Sequence, residues 1–478
     1  MAETAHDLVI VGAGPAGLSA AVAAAGYGLD VLLIDEQQAP GGQIWRGVER
    51  VAAERPGDLD LFGADYAAGR ELVRRFRASG ASYMPGATVW QITPDRRLAV
   101  TDAAGTRLVA AQEILLASGA YERPVPIPGW TLPGVLTAGA AQVLVKQAGA
   151  LPDGQIVLAG NGPLLLLVAS QLLAAGVPVS ALLETAPTGR VWSALPLLPK
   201  AVLRSRPYLE KGLGMLAAIR RAGVARFHGV TALEAVPGDD GRLGAVRFAH
   251  HGRTEELKAD LLLLHEGVIP NVQLSMAAGC AHRWDPDQLC WRPVFDDWGA
   301  TDRPGIAVAG DGAWIGGARL AETSGHIAVL GALARLGRID EAERDRRARP
   351  LRRAALRDTA IRPLLDALYR PPAWALAPMR DDVVICRCED VTAGAVRVAV
   401  REGCHDAPQV KAFTRCGMGP CQGRMCAPTL CRLIAAERGV ELAAVPPPPP
   451  RFPVKPVRLG DIAALSGQGD GPGAPDWM

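Results

Sequence analysis

The chain has 478 residues, of which 49% are hydrophobic and 21% charged, as is ordinary for a globular protein of about three domains. Its 51 Lys and Arg residues against 49 Asp and Glu give a formal net charge of +2, which disfavours a protein built to bind a polyanion. Aromatic residues make up 5%, too few for a platform that stacks nucleic-acid bases, so we expect no nucleic-acid partner.

The amino-terminal region does not read as a secretory leader, because a strand-like apolar run begins at Leu8 without a preceding cationic segment. The most apolar stretch, residues 156–183, is interrupted by glycine and proline. It predicts strand, turn, helix and strand, not a transmembrane segment. We therefore expect a cytoplasmic protein whose only route to a membrane is through its partners.

Residues 7–36 predict a βαβ unit, with an Ala-rich helix between two short apolar strands. The turn before the helix consists of Gly12, Ala13, Gly14, Pro15, Ala16 and Gly17. Glycines at this spacing allow a tight turn, close approach of backbone N–H groups to a pyrophosphate, and close packing of helix on strand. The second strand ends in Asp35, where a carboxylate can bind a ribose. The pattern predicts a dinucleotide site.

Further motifs along the chain indicate which dinucleotide. They are Glu36 beside the ribose acid, Gly42 and Gln43 in a Gly-rich loop, Ala117 and Gly119 at one strand end, and Gly310 and Asp311 at another. With this ordered set, residues 5–335 resemble the flavoprotein superfamily that includes thioredoxin and glutathione reductases. The resemblance implies an α/β fold in which a Rossmann-like FAD domain contains an inserted second Rossmann-like domain. It also implies FAD as the cofactor, with Asp311 on the flavin ribityl chain.

A second Gly-rich turn lies within residues 155–184 and is degenerate. Gly160 and Gly162 fill the first two glycine positions, but Leu165 stands at the third and would push the helix away from the strand. Glu184 ends the next strand and is placed to hold a ribose. Two interpretations stay open here: a site for a second nucleotide, ATP or NAD(P), or a fold kept for its structure alone.

The nine cysteines are concentrated in one region, since none precedes Cys280 and seven lie between Cys386 and Cys431. Disulfide reductases of the superfamily need a redox-active cysteine pair beside the flavin. Residues 1–279 contain no cysteine, so this activity is excluded. A dense local set in a chain without a leader is more typical of metal binding than of a disulfide scaffold.

The cysteine-rich segment begins with a CxC pair, Cys386 and Cys388, and continues with Cys416, Cys421 and Cys426 among glycines. Thiolates in tight Gly turns suit a [2Fe–2S] cluster, whose sulfurs need backbone N–H donors. Zinc is the alternative, although its sites prefer a CxxC-like spacing. The spacing does not decide which four of the five cysteines would bind the cluster.

Residues 386–431 resemble the bacterioferritin-associated ferredoxin domain, a small helical [2Fe–2S] module. They are more similar still to the version at the end of anaerobic glycerol-3-phosphate dehydrogenase. The ligands that this resemblance implies are Cys386, Cys388, Cys421 and Cys426. Cys416 is then a reserve ligand, and Cys404 and Cys431 are expected to face the core of the module.

A resemblance over nearly the full length is carried by residues 119–142 and 386–394. The chain is similar to the α (A) component of heteromeric amino-acid dehydrogenases, a family that includes opine oxidase, HcnB-type chains of hydrogen cyanide synthase, D-hydroxyproline dehydrogenase and the archaeal proline dehydrogenases. This implies a D-amino-acid-oxidase-like flavoprotein β subunit that oxidises the C–N bond of an opine, glycine, proline or hydroxyproline, and leaves open a small third subunit. The catalytic residues are then expected on the partner, this chain relays electrons, and some members hold FMN near the subunit interface.

The predicted domain organisation has six segments. They are the first part of the FAD domain (1–125), the inserted domain (126–272), the second part of the FAD domain (273–337), a charged linker (338–380), the [2Fe–2S] domain (381–440) and a Pro/Gly-rich tail (441–478). The tail is expected to extend along another surface as polyproline II, or to be partly disordered.

Two alternative functions remain at this point. One is an NAD(P)H-dependent flavin or ferredoxin reductase that acts alone, against which Leu165 argues. The other is a non-catalytic assembly protein with a vestigial flavin site, against which the intact first turn, Asp35 and Asp311 argue.

Overall fold

The computed structural model describes residues 5–466. The strands in chain order are β1 (His6–Val11), β2 (Val31–Asp35), β3 (Ser82–Pro85), β4 (Thr88–Ile92), β5 (Arg97–Asp102), β6 (Gly105–Leu116), β7 (Ala120–Glu122), β8 (Val135–Thr137), β9 (Ile156–Asn161), β10 (Val179–Glu184), β11 (Ala225–His228), β12 (Thr231–Pro237), β13 (Leu243–His250), β14 (Arg253–Lys258), β15 (Leu261–Glu266), β16 (Val268–Pro270), β17 (His282–Asp285), β18 (Cys290–Pro293), β19 (Ile306–Val308), β20 (Val384–Cys386) and β21 (Val391–Thr392).

The α-helices in chain order are α1 (Pro15–Gly26), α2 (Val48–Glu54), α3 (Asp58–Phe62), α4 (Ala64–Ala67), α5 (Gly69–Arg77), α6 (Ala138–Ala148), α7 (Pro163–Ala174), α8 (Arg190–Ala194), α9 (Leu198–Arg221), α10 (Gln273–Ala277), α11 (Ala318–Arg335), α12 (Glu341–Thr359), α13 (Arg362–Leu368), α14 (Ala373–Leu376), α15 (Ala393–Arg401), α16 (Ala407–Thr414), α17 (Ala427–Arg438) and α18 (Leu459–Ser466). Short 3₁₀ turns lie at Leu195–Leu197, Gly310–Gly312 and Leu442–Ala444.

The first sheet has the strand order β3-β2-β1-β6-β5-β4, with β19 also paired to β6. Strand β1 runs parallel to β2 and β6, and β19 runs parallel to β6, so the carboxyl ends of these strands meet at one edge. The apolar run of β1 is buried, as expected for a central parallel strand. Helix α1 begins at Pro15, which suits the first helical position, and lies against α11. This edge therefore collects the ends of β1, β2, β6 and β19.

The second sheet has the order β11-β10-β9-β15-β8, and all of its pairings are parallel. Helix α7 packs on it, and Leu165 is buried in the same apolar layer as Ile156 and Leu158. A three-stranded antiparallel sheet, β12-β13-β14, follows β11. The chain therefore contains two Rossmann-like units, as the sequence predicts.

The two units are connected by a short antiparallel pair, β7 and β16. The chain leaves the first unit through β7 and returns through β16, so residues 120–122 and 268–270 lie side by side. The second unit is thus inserted into the first.

The cysteine-rich segment forms a small unit of its own, built from β20, β21, α15, α16 and α17 around an apolar core. After α17 the Pro-rich stretch runs back over the first unit, where the Val454 N–H donates to the Trp90 carbonyl at 3.0 Å. Leu465 of α18 is buried against Trp90 and Ala99. Residues 467–478 of the predicted tail lie outside the described residues.

Between residues 5 and 466, no helix has both the length and the apolar character needed to cross a bilayer.

Candidate functional site

The first Gly-rich turn has no room for side chains at two of its glycines. Gly12 has a φ of +107°, and a Cβ there would lie 2.4 Å from the Ala117 carbonyl oxygen. A Cβ on Gly17 would lie 1.8 Å from the Gly12 carbonyl oxygen. Glycine is therefore required at both positions, the first for the turn and the second for contact between α1 and the turn.

Gly14 differs, because it caps the amino terminus of α1 and a Cβ there would meet only the Gly42 Cα, at 3.9 Å. The loop that contains Gly42 and Gln43 is held against the turn by a hydrogen bond from the Gly41 N–H to the Ala13 carbonyl, at 2.8 Å. The helix amino terminus therefore has an open approach lined by backbone, which suits the pyrophosphate of a dinucleotide.

Asp35 lies beside this turn at the end of β2. Its Oδ2 accepts a hydrogen bond from the Ala13 N–H at 2.5 Å, and its Oδ1 accepts one from the Gln37 N–H at 2.6 Å. Burial raises the pKa of Asp35. Glu36 instead points outward and pairs with Lys455 at 2.8 Å. Asp35 is therefore the acid next to the cradle, and Glu36 fastens the Pro-rich stretch.

Arg46 is a basic group in this site that the sequence analysis missed. It is buried, its Nη1 donates to the Gln37 side-chain oxygen at 2.5 Å, and its Nε has no partner among the described residues. Burial lowers the pKa of Arg46, and the Asp35 carboxylate opposes this effect. An unsatisfied buried guanidinium N–H beside the cradle fits an anionic ligand. Its place shortly after the Gly-Gly-Gln loop was the only signal in the sequence.

The remaining predicted residues meet at the same sheet edge. Asp311 follows β19, and its Oδ1 accepts hydrogen bonds from the Gly316 and Gly317 N–H groups, both at 2.9 Å. Burial raises the pKa of Asp311. A Cβ on Gly310 would lie 2.8 Å from the Ala16 Cβ, which puts this turn directly on α1.

Ala117 and Gly119 follow β6 on the other side of that turn. Between them, the Ser118 hydroxyl donates to the Asn271 carbonyl at 2.7 Å, and the Asn271 N–H donates to the Gly119 carbonyl at 2.9 Å. The intact turn, the ribose acid, the glycine loop and the buried Asp311 thus form one continuous site. Its open helix terminus and its unsatisfied Arg46 donor fit a flavin dinucleotide.

The second Gly-rich turn is covered by the chain itself. Gly160 has a φ of +136°, and a Cβ there would lie 1.8 Å from the His265 carbonyl oxygen. The side-chain amide of Asn161, between the two glycines, donates to the Arg370 carbonyl at 3.2 Å. Residues that follow α13 therefore lie against the turn, where a nucleotide would have to approach.

Glu184, at the end of β10, is already engaged. Its carboxylate pairs with Arg226 at 2.8 Å and with His228 at 2.7 Å. Tyr369 lies close by, because its pKa is raised by burial and further by the Glu184 charge. The sequence brings Gly160, Gly162 and Glu184 to one end of the sheet, but in this conformation the acid is not free for a ribose.

Behind the second turn lies a buried carboxyl group, Glu266. The Thr185 hydroxyl donates to its Oε1 at 2.5 Å, while Oε2 has no partner in the described part of the chain. Burial raises the pKa of Glu266 to about 8. The neighbouring His265 bonds Glu122 at 2.7 Å, so this histidine is a structural residue.

Three cysteines of the C-terminal unit lie together. The sulfur atoms of Cys386, Cys416 and Cys426 are all within 4.8 Å of one another, and all three residues are buried. Hydrogen bonds from the Cys416 and Cys426 thiols lower the pKa of Cys386 to about 2, and the Gly417 and Glu389 N–H groups add to this. The trio therefore combines two predicted ligands with the reserve residue.

The other two predicted ligands, Cys388 and Cys421, form a second pair that interacts through a hydrogen bond. Cys388 is exposed and Cys421 is half-buried. A Cβ on Gly419 would lie 2.2 Å from the Cys388 Cβ, so the loop before Cys421 is packed directly on Cys388. Cys431 is buried in the core of the unit, and Cys404 packs against that core. The donor set, four or five thiols with backbone N–H groups aimed at one sulfur, fits an iron–sulfur cluster.

The cysteine loop is bonded to the flavin-type unit. The Gln273 side-chain amide donates to the Cys421 carbonyl at 2.6 Å, and the Tyr121 hydroxyl donates to the Arg424 carbonyl at 2.9 Å. Both donors come from segments next to the Ser118–Asn271 contact. The sequence contained no signal for this junction, because it joins residues more than 140 positions apart.

Comparison with known proteins agrees with this architecture. The family described as pyridine nucleotide-disulphide oxidoreductase matches residues 6–329, and the sarcosine oxidase A3 domain matches residues 382–466. The A subunit of opine oxidase from Rhizobium meliloti is 44% identical, over 96% of this chain and 88% of that protein. The HcnB subunit of hydrogen cyanide synthase from Pseudomonas aeruginosa is 36% identical, over 87% of this chain and 90% of that protein.

Among solved structures, L-proline dehydrogenase from P. horikoshii is similar with a TM-score of 0.67. The match covers 96% of this chain and 80% of that one at 20% identity, so it speaks for the fold alone. The predicted α/β architecture with two dinucleotide-binding units is confirmed.

Proposed function

Because the chain belongs to the α (A) subunit family of heteromeric flavin-dependent amino-acid and opine dehydrogenases, we propose that it is the electron-transfer component of such a complex. A D-amino-acid-oxidase-like flavoprotein β subunit would oxidise the C–N bond of an amino or imino acid of the opine, glycine, proline or hydroxyproline class. The catalytic residues would then lie on that partner. In the same proposal, the complex also contains an FMN near the subunit interface and a small third subunit.

FAD would be held by the first turn and the three motifs that meet it. The residues that we assign to this site are Gly12, Gly14, Pro15, Ala16, Gly17, Asp35, Glu36, Gly42, Gln43, Ala117, Gly119, Gly310 and Asp311. To these we add Arg46, whose buried Nε lacks a partner among residues 5–466. The open terminus of α1 supports a pyrophosphate there, and the buried Asp311 supports a bound hydroxyl chain.

A [2Fe–2S] cluster would be held by Cys386, Cys388, Cys421 and Cys426, with Cys416 in reserve. The buried contact of Cys386 with Cys426 and the hydrogen bond between Cys388 and Cys421 support this set. When bound, a flavin takes up an electron pair with a hydride and an iron–sulfur cluster passes single electrons. This chain positions both groups and keeps water from the buried thiols.

The observation that carries the proposal is the junction between the two sites. Asn271 is bonded to Ser118 and Gly119 in the flavin site, and Gln273, two positions later, is bonded to the Cys421 carbonyl. Two residues of chain span at most about 7 Å. Such a short and hydrogen-bonded connection is what an electron relay needs.

The alternative function, an NAD(P)H-dependent reductase that acts alone, is disfavoured by the second turn. Arg370 lies on that turn, and Glu184 is paired with two basic residues. We therefore leave ATP and NAD(P) at Gly160, Gly162 and Glu184 out of the proposed function. The domain division that we propose stays that of the sequence analysis, with the inserted unit between residues 126 and 272.

The cluster is tested by iron analysis and electron paramagnetic resonance on anaerobically purified protein reduced with dithionite. We expect the signal of one [2Fe–2S] centre, and we expect Cys421→Ser to abolish it. Cys404→Ser is the matched control, because Cys404 lies in the same unit but outside the five-cysteine set, and it should keep the signal. Protein that contains zinc and no iron would overturn the assignment.

A further inference from the structure

Helix α8 and the first half of α9 expose an apolar surface that the proposed function does not use. Six large apolar side chains are exposed, and we call them together the α8–α9 face. They are Val191 (60%), Trp192 (75%), Leu195 (50%), Leu198 (37%), Val202 (49%) and Leu203 (83%). Four of the positions, 191, 195, 198 and 202, follow helical spacing and make one stripe.

The opposite side of these helices is packed and fixes their orientation. Ala194 and Ala201 are buried with Ile361 and Leu364 of α13 and its start. The Ser205 hydroxyl donates to the Arg357 carbonyl of α12 at 2.8 Å. The α8–α9 face is therefore exposed because the other side is anchored, and not because the helices have lost their support.

The charge around the face has one sign. Residues 186–209 contain no Asp or Glu, whereas Arg190, Lys200, Arg204 and Arg206 are all basic. Lys200 and Arg204 are exposed beside the apolar stripe, and the neighbouring helix α12 adds the exposed Leu356 and Arg357. Apolar side chains, an exposed tryptophan and unopposed basic residues together are the pattern of a segment that lies in a membrane interface.

We propose that the α8–α9 face binds the surface of a bilayer that contains anionic lipids. Trp192, Leu203 and Val202 would enter the boundary of the acyl chains, and Lys200 and Arg204 would contact the headgroups. A protein partner is the less favoured occupant, because the cores of protein interfaces are depleted in charged residues and in lysine. The chain would thus attach peripherally by its own surface, which adds to the proposed function and does not depend on it.

Flotation of the purified full-length protein with vesicles tests this proposal. We expect binding to phosphatidylcholine vesicles that contain phosphatidylglycerol, weaker binding to phosphatidylcholine alone, and loss of the difference at high salt. Leu203→Ser and Trp192→Ser should each lower the partition into anionic vesicles by about tenfold, because each removes one large side chain from the apolar boundary.

Leu459→Ser is the matched control, since Leu459 is 84% exposed and lies on α18, away from the face. It should bind vesicles like the wild type, and all variants should keep their flavin. No binding to anionic vesicles, or equal loss in the control, would overturn the proposal. Variants of the face that keep vesicle binding and lose a co-purifying protein would instead assign the face to that protein. None of these outcomes alters the flavin or cluster signals that test the proposed function.

Discussion

The two Gly-rich turns of this chain share a strand–turn–helix design and differ in what faces the turn. At the first turn, Gly14 opens to space and the Asp35 carboxylate accepts hydrogen bonds from backbone N–H groups alone. At the second, Asn161 is bonded to the Arg370 carbonyl and Glu184 is paired with Arg226 and His228. The same motif thus serves as a ligand cradle in one unit and as a packing surface in the other.

The third glycine position explains part of this difference. Gly17 has no space for a Cβ, so α1 lies directly on its turn, whereas Leu165 fills the core beneath α7. A turn can therefore keep two glycines for backbone reasons and still bind nothing. The residues that decide between cradle and cover lie far away in sequence, in the linker and on a neighbouring strand.

The largest effect is expected for Gly17→Ala in the first turn. A Cβ 1.8 Å from the Gly12 carbonyl oxygen must push α1 away, which we expect to destabilise the protein by about 3 kcal/mol or more and to remove the flavin. Flavin content per chain and thermal unfolding measure this.

Gly26→Ala in the same helix is the control, because nothing lies within 4 Å of a Cβ there. It should keep the flavin and change stability by less than about 0.5 kcal/mol. Equal flavin content in both variants would refute the close contact at Gly17.

Next in size is the exchange of one acid in each turn. Asp35→Asn should weaken FAD binding by about tenfold to a hundredfold, because it removes a charged acceptor worth about 1.5–3 kcal/mol. Glu184→Gln should leave FAD binding unchanged. Titration of apoprotein with FAD, followed by flavin fluorescence, compares the two, and a similar loss in both would contradict the division of roles.

A smaller, pH-dependent effect is expected for Glu266→Gln behind the second turn. The pKa of Glu266 is raised from 4.5 to about 8, so between these values the native state keeps a proton that the unfolded state loses. The free energy of unfolding of the wild type therefore falls as the pH rises through this range, by up to about 5 kcal/mol from this group.

The glutamine variant lacks this fall, so its melting temperature should gain on that of the wild type between pH 5 and pH 8, the window of the raised pKa. Glu54→Gln, on an exposed residue, should show no such gain. A difference between wild type and Glu266→Gln that does not change with pH would rule out a buried carboxylic acid.

The smallest expected effect is that of NADH, which should leave the flavin oxidised. The second turn is covered by Arg370 and its acid is occupied, so a reduced nicotinamide nucleotide has no prepared site there. Anaerobic absorbance spectra across the visible flavin band would show this. Rapid bleaching by NADH would favour the independent reductase.

The sequence was sufficient for the parts of the site that depend on local backbone. The spacing of Gly12, Gly14 and Gly17 and the strand-end acids Asp35 and Asp311 are short-range patterns, and the structure brings all of them to one sheet edge. The CxC pair and the later cysteines were recognised in the same way. Such patterns are visible because each depends on a few neighbouring residues.

The missing parts depend on contacts across the chain. The Arg46 donor, the bond from Gln273 to Cys421 and the cover over the second turn join residues from separate segments. Leu165 was expected to displace its helix, yet it is buried in the core, since the apolar layer around Ile156 accepts its side chain. No periodicity or spacing in one sequence encodes such pairings.

The central claim, that this chain relays electrons from a partner, is tested most directly by adding substrate to the chain alone and to the co-expressed complex. Proline, hydroxyproline, glycine and an opine would each be added anaerobically, with flavin absorbance and the electron paramagnetic resonance signal recorded together. We predict that one of them bleaches the flavins and then reduces the cluster in the complex, and that none does so in the isolated chain. Turnover of any of these substrates by the isolated chain with an artificial acceptor would contradict the account.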